Sequence, residues 1–230
     1  MDLRFKHPCT GLLVGGTGAG KTFFMKRVIE NVQSMFDTPF QRIVWHYTEW
    51  QPMYEELENK CGVVFIQGVP SLDDFPTGSE PQLVIIDDCM DQLNNPEILK
   101  FFIKGSHHRG LSVFSLSQCL FPKGLRQISL NSNYCVLFKT SRDLAQIRTF
   151  CMQINPTEWR ALMEAYRDAT AEGHSYLLFD FNYKQADSMR LRTHIFPHEP
   201  TIIYIPKKNY LKKDAKEIGL VVSHGSGEQH

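Results

Sequence analysis

Short apolar runs alternate along the chain with stretches whose apolar residues recur every three or four positions. This alternation predicts a mostly parallel sheet flanked by helices. Strands are predicted at residues 11–14, 42–47, 63–67, 83–86, 112–116 and 134–138. The run Leu83-Val84-Ile85-Ile86 has no polar position, as expected of a strand buried on both faces. A helix is predicted over 21–35, where Phe24, Val28, Val32 and Met35 keep a helical period, and another over 156–171, where Trp159, Leu162, Met163 and Tyr166 share a face. Shorter helices are predicted at 50–57, from Asn95-Pro96 to about 106, and at 142–153. The polar, proline-bearing stretch 68–81 reads as a loop, and 176–181 with 190–196 as an antiparallel pair. After Pro206 the chain turns basic and ends in HGSGEQH, which is expected to be disordered.

The segment between the first strand and the first helix carries the clearest chemistry. Gly15-Gly16-Thr17-Gly18-Ala19-Gly20-Lys21-Thr22 fits GxxxxGK[ST] in full and lies between a strand and a helix, the context that motif requires. Its glycines let backbone N–H groups converge on phosphate, and the helix start adds positive dipole. Lys21 is expected to reach the β- and γ-phosphates of ATP, and Thr22 to ligate Mg²⁺.

Asp87-Asp88 ends the buried 83–86 run. Asp87 is assigned to Mg²⁺ and Asp88 to activation of the attacking water; the competing reading has both acids capping a turn. Ser117-Gln118 ends the following strand, so Gln118 is a candidate for contacting both the γ-phosphate and the water, or else a plain loop residue. An extra strand between the loop strand and the acidic strand, together with the second acid, points to the RecA-like ATPases that use a catalytic acid. The NKxD motif of GTPases is absent. Arg109, just ahead of the 112–116 strand, is the first candidate for an arginine finger, with Arg142 and Arg148 behind it; a solvated surface arginine is the competing reading for each.

Composition narrows the partners. With 42% hydrophobic and 22% charged residues, 230 residues suffice for one α/β domain with a real core. The formal net charge is zero, so any DNA contact must be local. Between 184 and 216, Lys184, Arg190, Arg192, Lys207, Lys208, Lys212, Lys213 and Lys216 stand against Asp187, Glu199 and Asp214, a candidate phosphate-tracking or protein-docking surface. The six cysteines form no CxxC pair, sit mostly in apolar runs, and are read as reduced core residues of an intracellular protein. His107-His108 has no cysteine at zinc-ligand spacing. The first ten residues lack the apolar region of a signal peptide, and no apolar run reaches the roughly 20 residues of a membrane span, so no membrane partner is expected.

GGTGAGKT, VIIDD, HHRGLSVFSLSQ and LNSNYCVLFKTSRDLAQI together resemble the FtsK/HerA superfamily of P-loop ATPases. The branch they are most similar to is the viral genome-packaging ATPases of the poxvirus and Maverick/Polinton-like type. The resemblance covers about residues 8–155; the stretches around Arg109–Gln118 and Asn131–Lys139 carry the branch, and residues 156–230 carry none of it. It implies an ATP-hydrolysing motor that translocates double-stranded DNA into a capsid as a homo-oligomeric ring, a pentamer or hexamer, working with capsid or portal-vertex proteins. The site would lie inside the infected cell where virions assemble, or on the virion. Many members have glutamate where this chain has Asp88. The expected organisation is a P-loop core over 1–155, a helix and β extension over 156–206 packed on it, and a basic tail over 207–230. The alternatives are another nucleic-acid motor, such as a helicase, or a nucleotide-dependent binding module.

Overall fold

The most apolar short runs become the middle of one sheet. A computed structural model describes residues 2–78, 80–87, 96–105, 109–118, 120, 125–140, 142–206 and 219–223. The strands are β1 (Thr10–Val14), β2 (Arg42–Tyr47), β3 (Val64–Gln67), β4 (Gln82–Asp87), β5 (Leu111–Ser117), β6 (Tyr134–Phe138), β7 (Tyr176–Asp180), β8 (Leu191–Thr193), β9 (Thr201–Ile205) and β10 (Gly219–Ser223). They form a ten-stranded sheet in the order β10-β9-β8-β7-β6-β1-β5-β4-β2-β3. The strands from β3 through β6 pair in parallel, and β7 to β10 extend the same sheet antiparallel. Every residue of β1, β4, β5 and β6 is buried. These four are covered on both faces, which is why β1, β4 and β6 read as nearly continuous apolar runs, while β5 interleaves the buried serines Ser112, Ser115 and Ser117 with its apolar residues.

Successive residues of a strand face opposite sides of the sheet, so the core splits in two. Leu12, Val84, Ile86, Val113 and Leu137 pack with Phe101, Phe102, Phe150 and Tyr166. Leu13, Ile85, Phe114 and Val136 pack with Phe24, Met25, Val28 and Phe36 on the other side. The covering helices are α1 (Lys21–Glu30), α2 (Val32–Met35), α3 (Pro52–Cys61), α4 (Pro96–Lys100), α5 (Leu125–Leu130), α6 (Leu144–Ile154) and α7 (Trp159–Ala169).

Several local expectations need correction. The helix expected over 21–35 breaks at Asn31, whose backbone leaves the helical region (φ −114°, ψ 22°). The Asn31 side chain donates to the Arg27 carbonyl at 2.9 Å and so competes with the main-chain ladder. The helix after Pro96 passes into a π-helical turn over Phe101–Gly105. Strand β10 falls inside the segment expected as a tail; its Gly-Leu-Val-Val-Ser run is β-prone and pairs antiparallel with β9. Arg192, counted above with the basic surface residues, is fully buried and bonds Asp180 at 2.6 Å. Arg190 bonds Asp187 at 2.8 Å and donates to the carbonyls of Asp180 and Asn182. Lys207, Lys208, Lys212, Lys213 and Lys216 lie outside the described residues, as do Cys89, Cys119 and His107-His108.

The C-terminal strands also hold α1 in place. Phe24 packs edge-on against Phe138, Tyr176 and Phe196, and the Arg27 guanidinium lies 3.9 Å from the Phe196 ring centroid. Arg27 also pairs with Glu199. The helix that follows the glycine loop is therefore clamped by the antiparallel half of the sheet.

Candidate nucleotide site

The glycine loop leaves the C-terminal end of β1 and enters α1. Strand β5 lies beside β1 on one side and β6 on the other. The Gly15 N–H donates to the Ser117 carbonyl at 3.1 Å, which ties the loop's first residue to the end of β5. A Cβ on Gly15 would lie 2.7 Å from the Phe138 Cβ, so β6 forces glycine there. Gly20 sits at φ 107°, a conformation that L side chains rarely adopt, and its N-cap geometry starts α1 with no side-chain cap. The first amides of α1 thus carry no side-chain cap, at a helix start where an anion is favoured. The Lys21 Nζ lies within the loop and donates to the carbonyls of Gly15 at 2.6 Å and Gly16 at 3.2 Å.

A cleft of about 500 Å³ brings the loop residues Thr17 to Thr22 together with Phe23, Gln51, Met53, Asp87, Gln118 and His174. Asp87 ends β4 and is only 4% exposed. It accepts a hydrogen bond from the Tyr54 hydroxyl at 3.0 Å. Tyr54 is set by α3, which opens with Pro52 at a first-turn position. Its ring stacks on Phe65, with centroids 4.6 Å apart and 22° between planes. A buried carboxylate that accepts from a fixed phenol is oriented as well as desolvated. Gln118 follows β5 and opens onto the same cleft.

Thus Thr22, Lys21, Asp87 and Gln118, far apart in sequence, converge. Asp88 lies outside the described residues. Arg109 lies away from the cleft lining in its own chain. Its guanidinium donates to the Phe75 carbonyl at 2.6 Å and to the Leu72 carbonyl, and lies 3.8 Å from Asp73. It therefore braces the short 3₁₀ turn Leu72–Asp74 of its own chain. The reasoning from sequence did not single out Tyr54, Gln51, Phe23 or His174. Tyr54 and Gln51 belong to a helix with no motif, and His174 sits in a turn whose proximity to the loop depends on β7 pairing with β6.

The chemistry of the donors suits Mg²⁺ held largely by substrate. Among the described residues no group of three or more His, Cys, Asp or Glu side chains could hold a metal by itself. One carboxylate, Asp87, lines the cleft together with the loop hydroxyls of Thr17 and Thr22. Magnesium is commonly bound in this way, through one or two carboxylates together with substrate phosphates and water.

Comparison of the fold with solved structures is decisive for the architecture. The genome packaging NTPase B204 from Sulfolobus turreted icosahedral virus 2, in complex with ATP-gammaS, superposes with a TM-score of 0.55. The match covers 81% of this chain and 96% of that one at 15% identity. This chain has the fold of that packaging NTPase. B204 from Sulfolobus turreted icosahedral virus, described as a DNA-packaging ATPase, matches with a TM-score of 0.52 over 83% of this chain and 98% of that one at 12% identity. The complex of the first protein with AMPPCP gives 0.52 over 81% and 96% at 16% identity. No protein-family model matches the chain. No curated protein matches it in sequence. At 12–16% identity the likeness is one of fold.

Proposed function

We propose that this protein is an ATP-hydrolysing motor that moves double-stranded DNA, and that it packages a viral genome into a capsid. The observation that carries the reading is the convergence of the complete phosphate loop with Asp87 and Gln118 in one cleft, on a fold shared with a packaging NTPase. Lys21 offsets the charge of the β- and γ-phosphates, and the loop amides cradle them. Thr22 and Asp87 would hold Mg²⁺, which would supply charge neutralisation at the phosphates. Asp88 accepts the proton of the attacking water, and Gln118 orients that water against the γ-phosphate. Tyr54 keeps the Asp87 carboxylate aimed at the cleft.

In this reading the subunits assemble into a pentameric or hexameric ring, and the motor engages capsid or portal-vertex proteins where virions assemble in the infected cell. No helix among the described residues is long and apolar enough to cross a membrane. The bracing of Arg109 by its own chain favours a stabilising role for that residue. Turnover of ATP with and without duplex DNA tests the proposal. DNA-stimulated hydrolysis that is lost in Lys21→Ala supports it. Hydrolysis indifferent to DNA favours a binding module, and ATP-driven strand separation favours a helicase.

A further inference from the structure

We infer that a second cavity beside the loop, over the ends of β6 and β7, is the nucleoside half of the site, and that His174 positions the nucleoside there. The inference rests on the reading of the glycine loop as a triphosphate site. Asp87, at the end of β4, lies beyond β5 from the loop strand β1. Asp87 would hold Mg²⁺ at the terminal phosphates, which would put that end of the phosphate chain toward β4. The nucleoside end must then leave on the other side of β1, toward β6 and β7.

A cavity of about 700 Å³ is placed there, within the size range of small-molecule sites. It shares Thr17 to Ala19 of the loop tip with the phosphate cleft, and its far side is Thr140, Arg142 and Asp143. Thr140 and Asp143 follow β6. His174 precedes β7, whose Tyr176 pairs with Phe138 of β6, so antiparallel pairing brings His174 back to the loop. His174 and Gln118 line both the phosphate cleft and this cavity together with the loop tip.

The local chemistry suits a sugar and a base. Asp143 precedes α6 without capping it through its side chain, and its carboxylate lines the cavity, where it can accept from ribose hydroxyls or base N–H groups. His174 is exposed and offers a flat aromatic face. Its Cβ lies 3.1 Å from where a Cβ on Gly20 would stand, so it backs directly onto the loop. It holds this place at φ 63°. His194 and His198 share that left-handed backbone, but of the three only His174 lines either cavity.

Calorimetric titration with Mg-ATP and with Mg-tripolyphosphate separates the nucleoside from the phosphates. His174→Gly suits a positive φ, so it removes the ring without straining the turn. It should weaken ATP binding about tenfold, in line with loss of a base–aromatic contact, and weaken tripolyphosphate binding clearly less. Asp143→Asn should show the same split. Lys21→Ala should weaken both ligands. If His174→Gly weakens both equally, it acts on the loop, and if it weakens neither, the nucleoside lies elsewhere; either result overturns the inference. If Lys21→Ala changes neither, the triphosphate reading itself fails.

Discussion

The hydrogen bond from Tyr54 to Asp87 makes the site sensitive to one oxygen atom. Tyr54→Phe deletes the phenol and keeps the ring, which stacks on Phe65 and packs against Trp45, Tyr47 and Trp50. The loss is therefore polar, not a cavity. Hydrogen bonds to charged groups contribute about 1.5–3 kcal/mol when an acceptor this buried loses its donor. A 2 kcal/mol loss in a chain of this size lowers the melting temperature by about 4–8 °C. The second effect is on metal. Residues that orient a metal ligand typically change metal affinity by about 10–100-fold, and the low end is expected here because substrate phosphates supply much of the coordination. The assay is thermal denaturation without ligand, followed by nucleotide binding across a Mg²⁺ titration. A lower melting point and a rightward shift of about tenfold in half-saturating Mg²⁺ are expected. A variant with both values unchanged would refute the view that Tyr54 orients a metal-binding carboxylate.

Other outcomes follow from the same structure. Asp88→Asn should keep Mg-ATP binding and lose most hydrolysis, whereas Asp87→Asn should weaken the Mg²⁺ dependence itself, as read by affinity and turnover. Arg192→Ala should destabilise the fold by about 3–5 kcal/mol, because it leaves the Asp180 carboxylate buried and unpaired, and denaturant unfolding measures this. Cys9 and Cys151 are buried, and burial pushes both thiols up to about 12. Mapping of iodoacetamide adducts at pH 8 should therefore find the half-buried Cys61 modified well before either. Replacing Lys207, Lys208, Lys212 and Lys213 with alanine should weaken duplex binding without sequence preference and flatten its salt dependence by about 0.9 per lost phosphate contact, with basal ATP hydrolysis nearly unchanged.

The parts of the fold legible in sequence were those fixed by local pattern. β1, β4 and β6 are buried at every position, so their apolar runs stand out, and the loop motif is contiguous. The predicted placement of a strand between the loop strand and the acidic strand is met by β5. What stayed hidden depends on contacts between distant segments. Tyr54 reaches Asp87 because α3 packs near β4, and nothing in Pro-Met-Tyr-Glu-Glu marks that tyrosine. His174 depends on strand pairing 138 to 176. Arg192 looked like surface charge because its partner, Asp180, lies on the neighbouring strand. The break at Asn31 arises from a side chain competing with its own helix, which apolar periodicity does not register.

Movement along duplex DNA is the central claim, and displacement of a third strand from a DNA triplex measures it most directly. With Mg-ATP the protein should strip the triplex-forming strand from a long duplex and leave the duplex paired. It should fail to do so with a non-hydrolysable analogue, or as Lys21→Ala. ATP turnover that leaves the triplex intact at every protein concentration would contradict the account.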